Sequence, residues 1–202
     1  MIGNNIAARR GAKAQRRKVV VAEKRKADAV LGSKAGQISA AAKLPVCHCR
    51  LQDGLFENGM GALYLIRGVS GGPCSVGMFL IDSFCLGVKD VGFRMLGAQE
   101  VKTFISTMDD VSPARPIDPA AARKLLRDVT TWAKSAGFNP HPDFGVVEKL
   151  FGDVDANASD AVFEFGYKGK PLYMPGPHES AAEVRERVVT AVEAGAHYLV
   201  PV

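Results

Sequence analysis

Three aspartates, Asp82, Asp90 and Asp143, accompanied by Lys89 and His141, supply the residue types that a metal-dependent phosphodiesterase needs. Carboxylate oxygens hold Mg2+, an ammonium steadies a phosphate, and an imidazole moves a proton near neutral pH. Asp82 ends the apolar run Met78-Phe79-Leu80-Ile81, where a strand end holds a carboxylate rigidly and its neighbours exclude water; Lys89 and Asp90 follow the turn at Gly87. His141 and Asp143 lie in Asn139-Pro140-His141-Pro142-Asp143, whose two prolines stiffen the backbone around the imidazole. Four of the five also have a purely structural reading. Asp82 can close its turn with a side-chain oxygen, Asp143 can cap the short helix that follows, and Lys89 and Asp90 can be a solvated pair.

The remaining reactive side chains are scattered. Cys47-His48-Cys49 places two thiols on one face of a strand, because side chains alternate with period two, but no paired knuckle completes the four ligands of zinc, so buried structural thiols are expected. Cys85 could act as a nucleophile with His141 or His178 only if the fold joined them. The run Gly152-Asp153-Val154-Asp155-Ala156-Asn157 lacks the sixth-position glycine and twelfth-position glutamate of a calcium loop. No Walker loop, dinucleotide glycine fingerprint or HExxH helix is present. Near the C-terminus, Tyr167 and Tyr173 could stack on unpaired bases while Lys168 and Lys170 meet phosphates. The competing reading puts Phe163, Phe165 and Tyr173 in the core and leaves the lysines to keep a turn soluble.

Charge is divided unevenly along the chain. Residues 1–44 carry eleven Lys and Arg against Glu23 and Asp28, a formal +9, whereas the rest of the 202 residues carries −4. Bases cluster at Arg9-Arg10, Arg16-Arg17-Lys18 and Lys24-Arg25-Lys26, seven to eight residues apart, which brings them near one face if the segment is helical. A polyanion should therefore meet the arm, and any chemistry must come from the body. The expected partner is nucleic acid, RNA or DNA, bound through that arm with Lys168 and Lys170 as a second contact. The alternatives are the Mg-dependent hydrolase built on Asp82, Asp90 and Asp143, and a protein-binding module with a solvated tail. No cofactor is expected under the first reading.

The elements that must position these residues follow from periodicity. Residues 1–43 read as a helical or disordered basic arm with a flexible linker from Gly32 to Gln37, and 44–202 as one domain. Leu44 to Leu51 reads as a strand. Gly61 to Val69 and Cys74 to Phe84 read as a hairpin, and Val162 to Phe165 with Pro171 to Met174 as a second one. Helices are expected at Ala98 to Met108, Pro119 to Ala136, Asp143 to Phe151 and Ser180 to Ala194, with a closing strand at Tyr198 to Val200. The order implies an α+β fold, a largely antiparallel sheet of two hairpins packed on about four helices. Four cysteines without CxxC spacing suit reduced thiols in the cytoplasm, and no apolar run is long enough to span a membrane.

Phe79-Leu80-Ile81-Asp82 with Cys85-Leu86-Gly87-Val88-Lys89-Asp90, Gly137-Phe138 with His141-Pro142-Asp143, and Phe163-Glu164-Phe165-Gly166 with Gly169-Lys170-Pro171 and Gly176-Pro177 resemble an uncharacterised bacterial protein family with a basic N-terminal tail. The resemblance covers about residues 44–202. It implies a bacterial cytosolic protein and carries over no activity, cofactor or site.

Overall fold

The computed structural model describes residues 32–69, 71–175 and 179–193. Its centre is a five-stranded antiparallel sheet in the order β4-β3-β2-β1-β5, with β1 at Val46–Gln52, β2 at Met60–Gly68, β3 at Cys74–Asp82, β4 at Gly87–Leu96 and β5 at Ala114–Pro116. The first four strands form a meander, and β5 returns to pair with the free side of β1 through Arg50↔Pro116, Leu51↔Arg115 and Gln52↔Ala114. The β2–β3 hairpin expected from the sequence is present, in continuous register from Met60↔Asp82 to Gly68↔Cys74.

Alternation along the strands gives the sheet two apolar faces. On one face Cys49, Leu51, Leu63, Leu65, Phe79, Ile81 and Val88 pack with α1 (Lys34–Ala41), α4 (Pro119–Ser135), α5 (Phe144–Val147) and a 3-10 turn at Glu148–Phe151. Phe79 anchors that layer, with its ring 6.3 Å from Phe144 and 6.0 Å from Phe151. On the other face Ile66, Cys74 and Val76 meet Val101 of α3 (Ala98–Val111). A single helical turn, α2 (Leu55–Asn58), links β1 to β2, and α6 (Ala181–Glu193) sets Val184 and Val188 against Cys85, Leu86, Phe138 and Tyr173. The α+β architecture is therefore helices, sheet, helix.

Helix α4 shows how local sequence sets an element. Asp118 accepts the N–H groups of Ala120 and Ala121, Pro119 occupies the first turn, and Gly137 just beyond the end has φ +86°. Ala122, Leu125, Leu126, Val129 and Ala133 recur at helical spacing and are all buried. The capping box of α6 also forms: Glu183 accepts the Ser180 N–H at 2.8 Å, while the Ser180 hydroxyl accepts the Glu183 N–H at 3.3 Å.

Three expectations are corrected. The expected linker at Gly32 to Gln37 is instead the start of α1: Ser33 caps it by accepting the Gly36 N–H at 3.1 Å, and Ile38 and Ala41 are buried in the core. The sheet is completed by β4, beside β3, and by β5, beside β1, and not by the expected hairpin at 162–174, where Tyr167↔Lys170 is an isolated bridge around a turn. Asp143 to Phe151 divides into α5 and the 3-10 turn. The expectations for residues 1–31 and for Tyr198 to Val200 lie outside the described residues.

Candidate nucleic-acid interface

Asp82 is fully buried at the end of β3, opposite Gly87. Its Oδ1 accepts the N–H groups of Phe84 at 3.0 Å and Cys85 at 2.8 Å, which closes the turn into β4. Its Oδ2 has no hydrogen-bond partner among the described residues. Burial pushes the carboxyl up to about 6 against the opposing pull of those N–H bonds and of Lys89. A carboxylate sealed in this way shapes a turn and offers nothing to an ion in solvent.

The other members of the acidic set sit at the exposed edge of the sheet. His141 is tied to β4 by its N–H to the Val88 carbonyl at 2.9 Å, and its Nε2 lies 3.7 Å from Asp90 Oδ1. Its Nδ1 accepts the Asp143 N–H at 3.1 Å. Asp143 occupies the N-cap position of α5 but caps no N–H with its side chain; Oδ2 instead takes Lys34 Nζ at 2.8 Å. That bond and the lysine charge hold the Asp143 carboxyl below the usual carboxylate range. Asp90, His141 and Asp143 are thus neighbours, with Lys89 half-buried in the adjoining bulge of β4. Among the described residues no three His, Cys, Asp or Glu side chains form a group able to hold a metal ion, so Asp82, Asp90 and Asp143 do not converge as the Mg site requires.

The C-terminal aromatic segment separates into core and surface. Tyr173 is buried, its hydroxyl donating to Glu179 at 2.5 Å, and burial pushes that hydroxyl up to about 12. It is unable to stack on a base. Phe163 stacks at 5.9 Å on Phe56, and Phe165 lies 5.8 Å from Trp132. Tyr167 is exposed beside Lys168, whose ammonium lies 5.3 Å from the ring centroid, and Lys170 is exposed next to them. Of the proposed stacking pair, Tyr167 alone is accessible.

Regular alternation fails at Cys47. The β1–β2 register shifts between Val46 and His48, and the bulge separates the thiols: Cys49 is buried in the core, where desolvation pushes it up to about 12, while Cys47 is exposed. Gly68-Val69-Ser70-Gly71-Gly72 matches the G-x-S-x-G spacing of a hydrolase nucleophile elbow. It joins strand to strand rather than strand to helix, and Ser70 lies outside the described residues.

Sequence reasoning missed a cleft of about 850 Å³ beneath the C-terminus of α1, lined by Lys43, Arg67, Lys149, Asp153 and the backbone around Leu44 and Gly152. Arg67 forms its buried wall. From β2 its guanidinium donates to the carbonyl oxygens of Ala42 at 2.9 Å, Leu44 at 2.6 Å and Phe151 at 2.5 Å, so one side chain satisfies two helix ends at once. Its Nε has no partner among the described residues. Burial pulls the guanidinium down from its ordinary value, and Asp153, 3.7 Å away and almost fully exposed, opposes that pull. Lys43 and Lys149 are exposed and have no ion-pair partner among the described residues. Three cations face one acid. The basic arm enters the body at Ser33, and α1, eight residues or about 12 Å long, runs from there to the cleft. An arginine inside the apolar run Leu63 to Gly68 was the one sequence signal that could have marked the place.

No protein-family model, curated protein or solved structure matches the chain.

Proposed function

We propose that this protein binds the phosphate backbone of nucleic acid, RNA or DNA, with its basic arm as the main contact and the Lys43–Arg67–Lys149 cleft as the point where the bound strand meets the body. The observation that carries this reading is the position of a buried arginine and two lysines, which have no ion-pair partner among the described residues, at the end of the helix that the arm leads into. Cations held close together in a concave surface attract phosphate more strongly than the same charges scattered, because the low-dielectric walls focus their field. Lys168 and Lys170 with exposed Tyr167 provide a separate surface suited to a single-stranded extension. The arm supplies affinity, and the body supplies register.

Fluorescence anisotropy of labelled RNA and duplex DNA against full-length protein over a salt series tests this. The affinity should fall by about 0.9 log units per log salt for each phosphate neutralised on duplex DNA, or about 0.7 on a single strand. Replacing Arg9, Arg10, Arg16, Arg17, Lys18, Lys24, Arg25 and Lys26 by Gln in the full chain should remove most of that slope. A wild-type protein that ignores both nucleic acids in dilute salt ends the proposal.

A further inference from the structure

Two of the four thiols are brought together by features that a regular sheet would not have. Cys74 begins β3 and pairs with Gly68 of β2, and its sulfur lies where a side chain on Gly68 would be: a Cβ built there falls 2.6 Å from Cys74 Sγ. On the opposite side of β2, the β1 bulge turns Cys47 out of the alternation, and its Sγ donates to the Gly68 carbonyl at 3.4 Å. Both sulfurs therefore lean over the same glycine from flanking strands. Burial, and then the hydrogen-bonding Cys47 beside it, push the Cys74 thiol above its ordinary value. The pair lines one cavity of about 650 Å³ with His48, Val101 and Lys102, the last two from α3. Cys47 is exposed, which gives this cavity a route to solvent.

The spacing decides what chemistry the pair can do. Cys47 and Cys74 stand on strands that are both neighbours of β2, so their Cα atoms are separated by about two strand spacings, roughly 9.6 Å. A disulfide requires Cα atoms within about 7 Å and would tear β1 or β3 from the sheet. An ion between the sulfurs asks for less approach than a disulfide, since two metal–thiolate bonds of about 2.3 Å span about 4.6 Å where an S–S bond spans about 2.05 Å. Among the described residues no third His, Cys, Asp or Glu completes a group with them, which is two ligands fewer than structural zinc takes.

We propose that Cys47 and Cys74 form a two-coordinate thiolate site for a soft monovalent d10 cation, Cu(I), held above Gly68. On binding, each S–H proton leaves to solvent and each sulfur lone pair forms one S–Cu bond; no group is oxidised or reduced. The resulting complex carries one negative charge, and the Lys102 ammonium on the wall of the same cavity is its counter-charge. Soft thiolates select such an ion over harder divalent competitors.

Anaerobic titration of reduced, full-length protein with Cu(I) in competition with a coloured Cu(I) chelator tests the site. Wild type should withdraw one Cu(I) per chain, with X-ray absorption showing two sulfur neighbours. Cys47→Ser and Cys74→Ser should each lower the affinity by at least ~100-fold, with circular dichroism unchanged, and His48→Ala should leave it as it was. The site is overturned if wild type leaves the chelator loaded, if Cys47→Ser retains wild-type affinity, or if His48→Ala weakens binding as much as loss of a cysteine. Formation of a Cys47–Cys74 disulfide under mild oxidant with the sheet intact would also overturn it, because the spacing that favours an ion would then be wrong.

Discussion

The guanidinium of Arg67 donates to the carbonyl oxygen of Phe151, at the end of the 3-10 turn, from a position where its side chain is 4% exposed. The same group holds Ala42 and Leu44 at the end of α1, so three carbonyls from two segments depend on it. Arg67→Met would keep the apolar stem and relieve the unpartnered Nε, but it would leave those carbonyls without a donor. Unmade buried hydrogen bonds outweigh the relief. The expected loss is ~2–4 kcal/mol in urea unfolding with an unchanged m-value. Arg67→Lys should recover less than half, since a single ammonium does not reproduce the planar fork.

Asp82 should make the protein less stable as pH rises through the weakly acidic range. Its folded-state value of about 6 is raised from 3.8, so between those values the folded protein holds a proton that the unfolded chain has released. Stability therefore falls as pH rises from about 4 to about 6, by an amount on the order of 3 kcal/mol, and is level above that. Asp82→Asn keeps an oxygen for the Phe84 and Cys85 N–H groups and removes the titration. The difference in unfolding free energy between wild type and Asp82→Asn, measured across that window, should show the slope. A constant difference from pH 4 to pH 7 would contradict it.

What could be read in the sequence was what short-range chemistry decides. The α4 boundaries were legible because Asp118, Pro119 and Gly137 act within a turn of themselves, and the β2–β3 hairpin because both strands are apolar and adjacent. Strand β4 was not legible: Lys89, Asp90, Gly92 and Arg94 interrupt its apolar pattern, and they are tolerated because β4 is an edge strand. The start of α1 looked like a linker because Gly32, Ser33 and Gly36 are loop residues by composition; Ser33 acts as a cap, and burial of Ile38 and Ala41 makes the helix. For the candidate site, Asp82 carried two readings, metal ligand and turn-former, and its bonds to the Phe84 and Cys85 N–H groups support the second. The cleft was hidden because Lys43, Arg67 and Lys149 are far apart in sequence and meet only when α1 and the 3-10 turn pack on β2.

Gly152 closes the cleft with φ +59°, and a Cβ there would lie 2.5 Å from the Ala42 carbonyl oxygen. Gly169 has φ +75° with nothing within 4 Å of an added Cβ. Both have positive φ, but Gly152, at ψ −120°, also lies outside the left-handed helical basin that other residues enter, so it carries more backbone strain as well as the clash. Gly169→Ala should cost ~1 kcal/mol, and Gly152→Ala ~3 kcal/mol or more, because the carbonyl it strikes is already held by Arg67. Parallel thermal denaturation distinguishes them; equal costs would mean that the turn at Gly152 relaxes freely.

Asp153 offers a gain-of-function test of the cleft. Its carboxylate lies 3.7 Å from Arg67 Nη2 with 96% of its side chain exposed, so its ion pair with Arg67 is screened and contributes little to folding. To a phosphate approaching Lys43, Lys149 and Arg67, however, it is the one acid among the described residues that line the cleft. Asp153→Asn should leave stability within ~0.5 kcal/mol of wild type while tightening binding to RNA or DNA by about two- to fivefold in dilute salt. The advantage should disappear near ~1 M salt, where the screening length shrinks to about 3 Å. Lys43→Gln with Lys149→Gln should act in the opposite direction, weakening binding and lowering the salt slope by about two. If neutralising the arm abolishes binding while neither of these changes moves it, the nucleic acid never reaches the cleft, and the arm alone carries the contact.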